Sequence, residues 1–259
     1  MSTINAVLSS ATQQFKTSIG RPMFRFCVIG QPILFGLILG MIYLEKSNID
    51  FTLFAVFGSG LSTFWSSICF SSASDIHRER WYGTLETIYS APVGFKWIVL
   101  GKIIGNSLWG VFSIGLSFSV VVLFFQRQII IGNFSLLLIG LFLMTLSLIA
   151  IGYLFAALFT LSRNARIMMN FMEYPVYILC GILFPLEQLP LLIRSFAYLL
   201  SPTWAVKIIH LAVSGNSLFS AINYIVGLVV ITIIYGVLAV YFFEKIDVKC
   251  RVEATLEVY

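Results

Sequence analysis

The 259-residue chain is 59% hydrophobic and only 10% charged, whereas soluble domains carry about 25% charged residues. A chain this apolar cannot cover itself with polar surface, which excludes an ordinary soluble domain. Its net charge of +5 does not point to nucleic acid, because the 16 Lys and Arg residues are scattered between apolar runs and form no single patch.

The first segment, residues 1–22, has apolar positions at Ile4, Val7, Leu8, Ala11, Phe15 and Ile19. Their spacing of three or four marks one stripe of a helix. Ser9, Ser10, Gln13, Gln14 and Lys16 lie off that stripe. The pattern predicts an amphipathic helix lying in the membrane interface; a plain soluble N-terminal helix is the other reading. The first twenty residues are mostly polar and do not fit a cleavable signal.

Runs long enough to cross a hydrocarbon core of ~30 Å fall at Met23–Leu44, Phe51–Ser71, Trp97–Phe125, Phe134–Leu161, Ile167–Phe184 and Ala221–Phe243. The runs are continuous, which excludes the alternation of a β-barrel, so helices must satisfy their own backbones inside lipid. The expectation is an all-α integral membrane protein with six transmembrane helices and one transmembrane domain over residues 1–259. With the N-terminus cytoplasmic, twelve of the 16 Lys and Arg residues lie inside and only Lys46, Arg127, Arg194 and Lys207 lie outside. That bias predicts both termini in the cytoplasm.

Residues 72–96, after the second run, hold most of the concentrated charge, including Asp75, Arg78, Glu79, Arg80 and Glu86. Gly83 is expected to break a helix, Thr84 to cap a short new one, Glu86 to suit its dipole and Pro92 to end it. The result is a short helix on the inner face, pinned by a charged elbow and shaped to hold a soluble partner. A solvated loop made basic only by topology is the alternative.

The fifth run contains Asn170, Glu173 and Pro175. A carboxylate within a span is costly and marks a functional candidate. Pairing of Glu173 with a basic residue near the inner interface is equally open. Pro175 removes a helical hydrogen bond and is expected to kink the span. Residues 185–216 are neither span nor loop. Pro190 to Pro202 allows only ~18 Å of helix at ~1.5 Å per residue, too short to cross, so a re-entrant helical hairpin on the outer face is predicted. Two amphipathic helices on the outer surface are the alternative.

Gly36 with Gly40, and Gly101 with Gly105, fit the small-xxx-small pattern of helix packing. Cys27, Cys69, Cys180 and Cys250 form no CxxC pair and are read as thiols rather than as a metal or disulfide framework. The sequence has no GxxxxGK[ST] phosphate loop and no HExxH, and its two histidines, His77 and His210, stand apart. No catalytic residue, metal ligand or cofactor is expected in this chain; any energy must come from a partner or a gradient.

Glu79-Arg80-Trp81-Tyr82-Gly83-Thr84-Leu85-Glu86, followed by Ala91-Pro92, resembles the inner-loop motif of ABC-2-type permeases, the membrane subunits of a class of ATP-binding-cassette exporters. Gly181 to Leu186, with Leu189-Pro190 and Ser201-Pro202, is similar to the end of that family's fifth span and its outer hairpin. Asn164-Ala165-Arg166, with Asn170 and Pro175, is similar to its fifth-span entry. The resemblance covers essentially the whole chain.

It implies an N-terminal interfacial helix, a cytoplasmic coupling helix and an outer re-entrant hairpin. It also implies cytosolic ABC ATPase subunits holding ATP and Mg, and a second permease copy or paralogue across the pathway. Glu79, Arg80, Gly83, Thr84, Leu85 and Glu86 would couple to the ATPase, and Asn170, Phe171, Glu173 and Tyr174 would face cargo. The implied function is export of a drug-like, peptide or lipid-linked cargo across a bacterial plasma membrane. A gradient-driven secondary transporter and a membrane scaffold are the competing readings.

Overall fold

The computed structural model describes residues 3–84, 87–88, 93–161 and 165–253. Its described residues are helical throughout, with turns and short connections between helices. Helix α1 spans Thr3–Ser18. Helix α2, Pro22–Ile42, is the first candidate span; it begins on Pro22, which costs no hydrogen bond at that position, and widens to a π-helical turn over Phe26–Gly30.

Helix α3 starts at Asn48–Asp50, passes through a π-helical stretch at Phe51–Gly58, and continues as Ser59–Trp81. Its N-terminus is capped by Ser47, whose Oγ accepts from the Asp50 amide at 3.1 Å. Helix α4 covers Phe95–Phe125 and α5 covers Phe134–Leu161. Helix α6 covers Ala165–Leu179, α7 Leu191–Ala197, α8 Ser201–Val213 and α9 Leu218–Glu253.

Five helices are long and apolar enough to cross a membrane, and a sixth crossing follows if the bent pair α7 and α8 counts as one. Two boundaries differ from the sequence expectation. The fifth run does not stay helical to Phe184: α6 stops at Leu179, where Gly181 turns the chain with φ +69°. Pro175 lies inside α6, which is helical on both sides of it. The last helix continues past Phe243 to Glu253, because charged residues at a helix end need no lipid to remain helical.

The segment between Pro190 and Val213 folds as two helices bent 96° from each other. Pro190 and Pro202 set the two starts. Helix α8 is packed into the bundle against α5 and α9, burying Ala205, Ile208, Ile209 and Ala212. Helix α7 instead leaves Leu191, Leu192 and Phe196 exposed. On the same side of the fold, Lys207 pairs with Glu187.

Helix α3 is the central post. In its apolar window 94% of positions are buried, against 11–39% in the other four spans. It packs against α2, α4, α5 and α6. Trp65, Phe64, Ile68 and Cys69 along it are fully enclosed, and the hydroxyls of Ser62, Thr63, Ser67 and Ser71 bond back to carbonyls one turn earlier. Those bonds let polar residues lie inside an apolar bundle without orphaned donors. The thiols of Cys27, Cys69 and Cys180 are buried and unbridged.

Candidate functional site: an elbow on the central helix

Helix α3 does not end where the apolar run ends. It extends as one rod from Ser71 to Trp81, so the charged segment begins as a rigid continuation of the central post. Gly83 then turns the chain with φ +67°, and no other atom comes near the position its Cβ would take; the backbone conformation, not crowding, calls for glycine. The Ile88 amide donates to the Thr84 carbonyl at 3.1 Å, one turn of helix beyond the break.

The Thr84 hydroxyl donates to the carboxylate and backbone carbonyl of Glu79. Glu79 also accepts from Lys102 Nζ of α4 at 2.5 Å, and Arg78 lies 3.6 Å away. Burial pushes the Glu79 carboxyl up, but hydrogen bonds from Lys102 and Thr84, with the Lys102 and Arg78 charges, outweigh it and hold the group below its usual value. Glu79 therefore ties three things together: the end of α3, the turn at Gly83, and α4.

Since the folded value is depressed, this tie contributes stability above about pH 4.5 and loses it as the pH falls through the folded value. Hydrogen exchange at residues 79–84 is expected to be flat from pH 8 to 5, after correction for intrinsic rates, and to rise at lower pH. In Glu79→Gln it is expected to be faster than wild type from pH 8 to 5 and to converge with it at lower pH.

One turn earlier lies a buried network that the sequence reading did not assemble. Asp75, 5% exposed, pairs with Arg21 just beyond α1 and lies 3.6 Å from Arg78. Its Oδ2 accepts from Gln14 Nε2 at 2.7 Å and from Asn106 Nδ2 at 2.8 Å. Ser18 Oγ donates to Asn106 Oδ1 at 2.5 Å. A buried charge needs this degree of pairing and hydrogen bonding to be tolerated. The network fastens α1, α3 and α4 together at the base of the elbow.

Gln14 and Ser18 are therefore not on a solvated face of α1. Ile4 and Leu8 of the apolar stripe are exposed, while Ser10, Ala11, Gln14 and Ser18 face α4. Gly101 and Gly105 let α1 approach: a Cβ at Gly101 would lie 2.5 Å from the Val7 carbonyl oxygen, and one at Gly105 2.4 Å from that of Ala11. The glycine pair thus packs the N-terminal helix and not two spans. Trp109 Nε1 donates to the Phe15 carbonyl at 2.9 Å, and the two rings stack at 4.7 Å.

A small pocket lies beside these groups, lined by Ser71, Asp75, Glu79, Phe95, Lys102 and Ala156 among others. Among the described residues no group of three His, Cys, Asp or Glu side chains could hold a metal ion.

A family model, ABC-2 type transporter, matches residues 5–213, which takes in α1 to α8 and the whole elbow. The chain belongs to the ABC-2 type transporter family. It is accordingly a multi-pass membrane protein and the transmembrane, non-catalytic permease subunit of an ABC transporter. No curated protein sequence matches the chain.

The expected site residues of this ABC-2 permease fall in two places. Glu79, Gly83 and Thr84 meet at the elbow, whereas Leu85, Glu86 and the side chain of Arg80 lie outside the described residues, as does Pro92. In α6, Phe171 and Tyr174 are exposed and Glu173 is buried at 6% exposure; the side chain of Asn170 lies outside the described residues.

Glu173 does not pair with a basic group among the described residues. It accepts from Ser66 of α3, and from Tyr177 at 3.1 Å. The sequence placed Asp75 among the elbow charges and Gln14 on the polar side of α1 but did not join them, and Asn106 and Ser66 were not singled out, because nothing in their local pattern says which helices become neighbours.

Proposed function

We propose that this permease moves a drug-like, peptide or lipid-linked cargo outward across a bacterial plasma membrane, with both termini cytoplasmic and residues 1–259 acting as one transmembrane domain. A separate cytosolic ABC ATPase holds ATP and Mg and seats on the elbow, so that Glu79, Arg80, Gly83, Thr84, Leu85 and Glu86 take up its motion. A second permease copy or paralogue faces α6 across the pathway, where Asn170, Phe171, Glu173 and Tyr174 contact cargo.

The observation that supports this reading is the continuity of elbow and post. A force at Gly83 acts on Trp81 through one turn, and the α3 rod carries it past Asp75 to the spans around it. The least exposed helix in the bundle is also the one that emerges as the elbow. Tilting it must displace its neighbours, because a close-packed interior transmits strain rather than absorbing it. Helix α6, joined to α3 through Glu173 and Ser66, moves with it.

The test is ATP hydrolysis by the complex purified with its native ATPase. Gly83→Pro forces φ near −65° where the chain needs +67°. It is expected to keep the ATPase bound but to weaken cargo stimulation by about 0.5–2 kcal/mol of coupling, roughly 2- to 30-fold. If no ATPase co-purifies with the wild-type chain, and transport is unchanged in Gly83→Pro, the elbow is not the coupling element.

A further inference from the structure

Glu173 lies within α6, Ala165–Leu179, and is 6% exposed. A carboxylate buried to that extent needs a partner. Both hydrogen bonds it receives among the described residues, from the hydroxyls of Ser66 and Tyr177, reach the same oxygen, Oε1. The other oxygen, Oε2, accepts none from a described residue and is not among the fully buried orphaned atoms. Neutral donors orient the carboxyl without cancelling its charge.

The surroundings are aromatic. Tyr177 meets Phe35 of α2 edge-on at 6.0 Å and Tyr174 at 6.3 Å. Next to them Ile167, Phe171, Tyr174 and Ile178 form an exposed stripe along α6, with Phe171 73% exposed and Tyr174 61%. A buried carboxylate hydrogen-bonded to one tyrosine and followed in the chain by an exposed one, on a helix with an apolar stripe, is the combination that recognises a cation carried on an apolar body. An anionic or purely neutral cargo gains nothing from the carboxylate and pays to pass it.

We infer that Glu173, with Tyr174, Tyr177 and Phe35, forms a recognition site for organic cations, so that the cargo is an amphiphile bearing a positive charge. This rests on the permease reading and narrows its cargo. Ser66 and Tyr177 position the carboxyl; Glu173 supplies the charge and the rings the cation–π contact.

The test is binding to the full chain, purified with whatever ATPase accompanies it, in lipid nanodiscs with empty discs as background. Tetraphenylphosphonium is the cationic probe and triphenylphosphine oxide the neutral one. In Glu173→Gln the cation is expected to bind at least tenfold more weakly, with the neutral probe within twofold of wild type. Glu173→Asp, which keeps the charge, is expected to retain cation binding within a few-fold.

Equal loss of both probes in Glu173→Gln, or unchanged cation binding, overturns the inference and leaves Glu173 a lock between α3 and α6. So does failure of the wild-type chain to bind the cation above background. Should Glu173→Gln fold poorly, judged by its thermal transition, the Glu173→Asp and Tyr174→Leu pair decides: the cation must survive the first and weaken in the second. Co-purification of the ATPase is scored in every variant; its loss in the wild type would count against the permease reading and not against the cation site alone.

Discussion

Replacing Asp75 with alanine is expected to cost about 3–5 kcal/mol of stability, because removing one member of a buried ion pair leaves the other charge uncompensated. Arg21, 18% exposed at its side chain, would lose its carboxylate, while Gln14 and Asn106 would lose the acceptor they share. Arg21 already has Nε and Nη2 buried without a hydrogen bond among the described residues. Thermal or denaturant unfolding in mild detergent, followed by tryptophan fluorescence, measures the loss.

Asp75→Asn keeps the shape and part of the hydrogen bonding and is expected to fall between wild type and alanine. The double variant Arg21→Ala/Asp75→Ala is expected to lose less than the sum of the singles, since the two groups interact directly. A wild-type transition in Asp75→Ala would mean that the network does not hold α1, α3 and α4 together.

The second large effect is expected at Gly105. A valine there drives its Cβ into the Ala11 carbonyl oxygen at 2.4 Å and toward Gln14 Cβ at 3.1 Å. The first obstacle is backbone and cannot swing aside, so α1 must withdraw. Overpacking of this kind costs about 1–3 kcal/mol in a well-packed core, and here the withdrawal also pulls Gln14 and Ser18 out of the Asp75 network. The expected result is release of α1 from α4.

A cysteine placed at Ala11, which is 8% exposed, reports this directly. It is expected to react slowly with a soluble maleimide in the parent chain and quickly when Gly105→Val is added. Gly115→Val is the control: it lies on the same helix with open space around it and is expected to leave labelling unchanged. Fast labelling of Ala11→Cys without the second change would show that α1 is already free.

Much of the architecture was legible in the sequence because lipid imposes a length and a polarity on each span. Phe134–Leu161 is the same in both readings, and the third span differs by two residues at its start. The break at Gly83 was also readable, since a positive φ selects glycine. The end of α6 was not, because Cys180 to Phe184 is as apolar as the helix before it and hydropathy does not register a change of backbone direction.

The candidate site was legible in part. The elbow motif named Glu79, Gly83 and Thr84, but the direction of the Thr84 hydroxyl depends on Glu79 lying across the turn from it. Gln14 was read as belonging to the polar face of an amphipathic helix. In the fold Gln14 and Ser18 are buried against α4, Ser9, Gln13 and Lys16 stay exposed, and Ala11 of the apolar stripe is buried, so the inward face of α1 is set by its neighbours and not by its polarity.

The sequence by itself determined that the chain crosses a membrane, about how often, where the charge gathers and where glycine must turn the backbone. These follow from transfer of side chains out of water and from local sterics, which act residue by residue. Only the tertiary structure decided that α3 is the central post, that Gly101 and Gly105 receive α1, and that Asp75 and Glu173 join helices distant in the chain. Those outcomes depend on which helices become neighbours, a choice among apolar surfaces of similar hydropathy that is settled by shape and by where the few buried polar groups can find one another.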